Sequence, residues 1–462
     1  MSLLKEWKEL EQKKLSFKNY VFVGSMLFGL FFGAGNLIFP VVMGQQAGGK
    51  TPIANLGFLL TAVGLPFLGI LAMSVTNSNG VYELSSKIGK RYASVFTILL
   101  YATIGPFFAM PRLAATSFEI GIKPFIPVRS LETNLLLYSI VYSILFFGIA
   151  YLFARKPAAL LDYVGKWLNP AFLLFLGILL VIAFIYPLGS VDGGTTTGAY
   201  TSLPFVQGVK EGYNTMDVLA SLAFGIIVIS TLKNLGVTKP KEIAKGTLKS
   251  GIVVMILMIV IYTATSFMGA MSIGHFKPAE NGGVALAQLA KYYLGVYGSL
   301  LLTVIIVLVT LKTSIGLIVS AGETAVDFNQ KISYKKVIIV ISILPVIVTN
   351  VGLTHIIVWT VPVLMFLYPL SITLVFLALL ESLMGYRKPV YLWTTIFAGL
   401  AAVFDALNSA PDLLKDFGLV KGLLEIGSYL PLFEHGLGWL APSFIGFVIG
   451  LIISCIKKEA LK

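Results

Sequence analysis

The residues with chemistry to offer are few, and they stand inside apolar sequence. The run Gly29-Leu-Phe-Phe32-Gly33-Ala34-Gly35-Asn36 gathers small residues and one amide ahead of Pro40. Glycine weakens a helix and admits an unwound segment. The N–H and C=O groups so freed need a polar partner, which a ligand can supply. Close helix packing through small residues is the other use of such a run. Packing accounts for Gly29 and Gly33, and less well for Asn36. A second stretch, from Asn214 through Asp217, Val218 and Ser221 to Ala223-Phe224-Gly225, divides another apolar run. A third, Thr310-Leu-Lys312-Thr313-Ser314, sets three hydroxyls on one face of a helix. They can ligate a small hard cation, or bond back to the preceding helical turn. Four ionisable residues complete the set: Arg112, Glu119, Asp217 and Lys312.

These groups need elements to hold them, and composition says which. Hydrophobic residues make up 57% of the 462 positions and charged residues only 12%, against about 25% charged in a soluble domain. That excludes a water-soluble globule and a disordered chain. A bilayer core takes about 20 apolar residues per helix. Twelve such runs occur, near 20–47, 53–76, 92–118, 134–153, 164–187, 214–235, 247–271, 297–320, 336–351, 353–380, 390–407 and 437–456. The ninth and tenth nearly touch, so a tight turn at Gly352 is expected. With the N-terminus inside, 24 of the 34 Lys and Arg fall in inner segments and eight in outer ones. The net charge of +13 is therefore orientation and not nucleic-acid recognition, with both termini cytoplasmic. Of the Lys and Arg, Arg112 and Lys312 are left inside spans. Intramembrane charge is functional by default. Asp217 sits one turn before Ser221, a candidate for gating or coupling or for a structural hydrogen bond. Arg112 and Glu119 share a face by helical spacing. Lys312 points away from the hydroxyl row. It can snorkel to the inner surface, pair with an acid, or stand in for a cation.

The remaining chemistry is quickly bounded. Cys455 is alone, and His275, His355 and His435 are far apart, so neither a disulfide nor a Cys/His metal site is expected. No GxxxxGK[ST] loop occurs, which argues against ATP-driven transport by this chain. No cleavable signal is evident. The division expected is a cytoplasmic helix at 1–19, a first repeat at 20–187, an outer loop at 188–213, a second repeat at 214–380, two added spans at 390–456 and a cytoplasmic tail at 457–462. A further outer segment, 279–295, reads as a short helix. Interrupted spans in corresponding halves point to a transporter's midplane site. The fold class expected is an all-α membrane protein of twelve helices, a five-plus-five inverted repeat with helices one and six discontinuous, plus two. An integral membrane enzyme acting on lipid-linked substrates is the alternative of a different class. It needs clustered acids or a nucleophile at one membrane face, and no such spacing is found.

FFGAGNLIFP with the following GQQAG, GPFFAMPR…SFEIG at 105–121 and GYNTMDVLASLAFGIIVI at 212–229 resemble the branched-chain amino acid:cation symporters of bacteria. The resemblance covers nearly the whole chain. It implies a distant relation to the leucine-transporter-type fold, a place in the bacterial plasma membrane, and inward carriage of leucine, isoleucine and valine with Na⁺. By its implication GAGN is the amino-acid-binding break, and Phe224 closes over the substrate. Thr313 and Ser314, with Thr310, form a sodium site with the Gly29 and Phe32 carbonyls. The carboxylate is expected on the N–H groups at Gly33, Ala34, Gly35 and Asn36. The side chain is expected against Val218, Ser221 and Phe224, with Tyr101 or Phe108 completing the pocket. Na⁺ is the coupling ion expected, with H⁺, or Lys312 in a cation's place, as the alternative. No other cofactor and no obligatory protein partner is implied.

Overall fold

The computed structural model describes residues 15–191, 194–237 and 239–456. Most of the expected N-terminal helix, and the tail at 457–462, lie outside them. In lipid a spanning segment must satisfy its backbone polar groups internally, which a helix does. The apolar runs accordingly fold as helices. The first run is two, α1 (Phe17–Phe31) and α2 (Ala34–Ala47). The second is α3 (Thr51–Leu59) and α4 (Leu65–Val75), joined by a π-helical segment at Leu60–Gly64. The third is α5 (Lys90–Ala102) and α6 (Ala109–Thr116), with π-helical segments at Thr103–Phe107 and Ser117–Ile122. Then follow α7 (Val128–Ala154), α8 (Asn169–Ile185), α9 (Pro204–Tyr213), α10 (Asp217–Asn234), α11 (Pro240–Met271) and α12 (Gly282–Phe328). The last four long helices are α13 (Tyr334–Thr349), α14 (Leu353–Met384), α15 (Lys388–Asn408) and α16 (Leu440–Ile456). Among the described residues, nine helical stretches are long and apolar enough to cross a membrane, with α1 and α16 as shorter apolar helices.

Burial sorts the helices into an inner and an outer set. The apolar windows of α10 and α14 are 72% buried, whereas that of Arg129–Ala154 is only 22% buried. The outer helix turns Leu136, Leu145 and Leu152 outward, a face suited to lipid tails. α2 packs along α11, and α15 packs against both α14 and α16.

The first run breaks where expected. α1 ends at Phe31, Phe32 and Gly33 are extended, and α2 begins at Ala34. The sixth run breaks elsewhere. The helix is continuous through Ser221–Gly225, and the interruption lies upstream at Asn214–Met216. Met216 sits in the left-handed region (φ 63°), which side-chain-bearing residues seldom adopt. Residues 204–213, expected within an outer loop, are instead the helix α9 leading into this break. Its backbone lies against α3: a Cβ on Gly208 would stand 2.0 Å from the Ala54 carbonyl oxygen, and one on Gly57 would stand 2.1 Å from that of Phe205. The third run is also interrupted, at Gly105 (φ −93°, ψ −119°) next to Pro106. The tight turn between α13 and α14 is present, with Gly352 at φ 100°. The segment expected as a short helix at 279–295 forms the start of α12, set off by a kink at Gly295.

Candidate functional site

The break in the first span organises the site from its own side chains. The Gly33 N–H donates to Asn36 Oδ1 at 2.8 Å, so Asn36 caps the start of α2. Its amide nitrogen then reaches across to α10 and donates to both Asp217 carboxylate oxygens, at 2.9 and 2.7 Å. It also donates to the Tyr262 hydroxyl of α11. Tyr262 in turn donates to Asp217 Oδ2 at 2.8 Å. All three groups are buried. A carboxylate taken out of water is costly unless donors surround it. Asn36 and Tyr262 are those donors, and together they tie α2, α10 and α11 at one point.

Beside this network is a narrow cavity of ≈ 30 Å³, room for about one or two waters. Its walls include Gly33, Gly35, Asn36, Asp217, Phe224 and Arg112. A substrate the size of an amino acid needs these walls to part. Phe224 packs edge-on against Phe31, 5.6 Å between ring centres, and forms one side. Arg112 is 4% exposed and its Nε has no hydrogen-bond partner. Its guanidinium carbon lies 5.4 Å from the Phe39 ring centre.

Several expected substrate residues do not line this cavity. The Gly33 N–H, on the cavity wall, donates to Asn36. Ala34 opens α2 but is not a wall of the cavity, and neither are Val218, Ser221, Tyr101 and Phe108. Val218 is fully buried. The Ser221 hydroxyl donates to the Val218 carbonyl at 2.7 Å. The Tyr101 hydroxyl is engaged by the Ala223 carbonyl, Ser320 and Thr324 at 3.1, 2.8 and 2.7 Å, where α5, α10 and α12 meet. Phe108 falls at the end of the π-helical segment, whose extra residue per turn shifts the angular count of a regular helix. Glu119 lies within a second such segment, Ser117–Ile122, beyond the regular turn that carries Arg112. Glu119 pairs with Lys123 at 2.6 Å near the end of the span.

The hydroxyl row of α12 divides in two. The Thr313 hydroxyl donates to the Phe32 and Gly29 carbonyls at 3.2 and 3.4 Å, spanning from α12 to the end of α1. Ser314 Oγ, the next residue, is buried without a partner. Thr310 donates to the Ile306 carbonyl of its own helix at 2.8 Å and does not reach α1. Lys312 neither snorkels nor meets an acid. It is fully buried, and its ammonium donates to Asn169 Oδ1 at 2.9 Å. It lies 4.1, 5.1 and 5.7 Å from the ring centres of Phe172, Phe28 and Phe32, a cation–π arrangement.

Tyr262, Asn169 and the wall role of Arg112 went unforeseen. A signal existed for two of them: Asn169 and Tyr262 are polar tips in apolar runs of sequence. Nothing local in the sequence says that Tyr262 faces Asp217.

Broken inner helices around a polar, buried midpoint, ringed by lipid-suited helices, define a membrane transporter of the discontinuous-helix class. Solved structures agree on the fold. Mhp1, a nucleobase-cation-symport-1 family transporter in a closed conformation with bromovinylhydantoin bound, superposes with a TM-score of 0.59 at 14% identity, covering 95% of this chain and 93% of its own. MhsT in complex with L-phenylalanine gives 0.54 at 14% identity, covering 95% and 100%. Both share the leucine-transporter-type fold. The family model for branched-chain amino acid transport proteins matches residues 16–457, and the chain belongs to that family. The branched-chain amino acid permease BrnQ of Lactobacillus delbrueckii subsp. lactis is 42% identical over 449 residues, 97% of this chain and 99% of the relative. BrnQ of Bacillus subtilis is 39% identical over 447 residues, 97% and 99%. The family is one of transporters, which sets aside the membrane enzyme.

Proposed function

We propose that the chain carries leucine, isoleucine and valine into the bacterial cell by alternating access, coupled to Na⁺. The substrates follow from the permeases it resembles along nearly its whole length. Both termini lie on the cytoplasmic side, on the distribution of Lys and Arg. The amino acid sits at the break in the first span. Its carboxylate meets the N-terminus of α2, where the Gly35 and Asn36 N–H groups have no helical acceptor. Its ammonium meets carbonyls at the breaks before α2 and α10, and its side chain lies against Phe224. One or two methylenes are worth only about 1–3 kcal/mol of discrimination, so one carrier serves all three. The Asn36–Asp217–Tyr262 network holds α2, α10 and α11 together and is the candidate gate.

The observation that carries the cation reading is the seam between α1 and α12. The Gly29 and Phe32 carbonyls face the Thr313 hydroxyl, and Ser314 Oγ is buried beside it with no partner. Main-chain carbonyls and hydroxyls are hard oxygen ligands that suit Na⁺. The ligand set is Gly29, Phe32, Thr313 and Ser314, without Thr310. The Thr313→Ala/Ser314→Ala double variant should need at least about 10-fold more Na⁺ for half-maximal leucine uptake. Unchanged Na⁺ dependence defeats the assignment.

A second reading rests on Lys312. Its ammonium contacts Phe28 and Phe32, which flank the same carbonyls, and its only polar partner among the described residues is the neutral Asn169. A built-in cation there makes uptake Na⁺-independent. Under this reading, wild-type uptake ignores Na⁺ and Lys312→Leu gains a dependence on it.

A further inference from the structure

Arg112 is the unexplained charge at the site. It is buried to 4% exposure and lines the cavity, yet its Nε has no partner. The ion pairs among the described residues do not include it. Asp217, the acid whose charge acts on it, is hydrogen-bonded to Asn36 and Tyr262 instead. A guanidinium is always charged and presents its donors in a rigid fork. Burying it without an acceptor is expensive, so a reason for its retention is needed.

Its position supplies one. A Cβ on Gly35 would stand 3.1 Å from Arg112 Nη2, so the guanidinium presses against the first turn of α2. That turn already carries the positive end of a helix dipole and N–H groups lacking helical acceptors. Two positive features therefore converge on one small cavity, and an anion between them satisfies both. The Phe39 ring supports the guanidinium, and the residue that fills the gap between it and the helix start is glycine. A planar two-oxygen anion fits a guanidinium bidentately.

We propose that Arg112 is the anchor for the α-carboxylate of the transported amino acid, forking its oxygens while the N-terminus of α2 receives the same group. Asp217 stands on another wall of the cavity, so the site is polarised for a zwitterion. The proposal rests on the transport reading and adds a substrate requirement: a free carboxylate.

The test uses full-length protein in proteoliposomes, radiolabelled leucine, and leucinamide as competitor. Leucinamide keeps the ammonium and side chain and loses the charge at the carboxylate. Wild type should prefer leucine over leucinamide by about 100-fold. Arg112→Gln should raise the KM for leucine by about 100-fold, and the preference should fall to within a few-fold. Arg112→Lys keeps the charge without the fork and should fall between, at about 10-fold in KM. If Arg112→Gln is not recovered as a monodisperse protein, Arg112→Lys decides. A wild-type KM and preference in whichever variant folds overturns the anchor while leaving leucine transport standing. A wild type that takes up no leucine overturns the transport reading itself.

Discussion

Two cations are buried near the break in the first span, and they are handled in opposite ways. Lys312, on α12, is fully accommodated. Asn169 Oδ1 accepts a hydrogen bond from its ammonium and three phenylalanine rings surround it. Arg112, on α6, has an unpartnered Nε, an aromatic ring on one face and a cavity in front of it. A buried charge is stable only when its surroundings answer it. The seam holding Lys312 is answered by the protein. On the proposal above, the carboxylate of the transported amino acid answers Arg112. The fold gives the Lys312 ammonium a hydrogen-bond acceptor and leaves an Arg112 donor without one.

The largest effect expected comes from breaking the satisfied side. Asn169→Leu strips the ammonium of its polar acceptor among the described residues and should cost about 3 kcal/mol in thermal unfolding of the purified protein. Lys312→Met together with Asn169→Leu should recover most of that loss, because replacing both partners by apolar groups is often neutral. A double variant as unstable as the single one contradicts the pairing. Tyr262→Phe probes the network between the seams. Asp217 keeps Asn36 as a donor, so the expected loss is smaller, about 1.5 kcal/mol, with leucine uptake slowed. Wild-type stability and uptake in this variant remove the network from the mechanism. The smallest effect belongs to Thr310→Val. That hydroxyl bonds to its own helix, so Na⁺ activation should stay within about 2-fold of wild type. A loss comparable to that of the Thr313/Ser314 double variant restores Thr310 as a ligand.

The contrast between the two interruptions also explains what was legible in the sequence. The first break declares itself locally: glycines loosen the helix, and Asn36 is close enough to cap the next one. The sixth does not. Ser221, Ala223 and Gly225 look like a break, yet they serve packing. A Cβ on Gly69 would strike Ser221 Oγ at 2.2 Å, and one on Gly225 would strike Met73 Sδ at 2.4 Å, so small residues there let α4 and α10 approach. The real interruption turns on Met216 in a left-handed conformation, which tertiary packing imposes and residue type does not suggest. Spacing along α12 placed Lys312 away from the hydroxyl row, but only the fold supplies Asn169 and Phe172 from α8. Regular helical spacing grouped Arg112 with Glu119. Glu119 lies within the π-helical turn at Ser117–Ile122, which breaks that count, while Arg112, on the regular helix before it, lines the cavity.

The central claim, Na⁺-coupled carriage of branched-chain amino acids through the break between α1 and α2, is tested most directly by radiolabelled leucine uptake into proteoliposomes. Inward Na⁺ and inward H⁺ gradients are imposed separately. The account expects accumulation under the Na⁺ gradient alone, with competition by isoleucine and valine. Accumulation under the H⁺ gradient alone, or none under either, contradicts it.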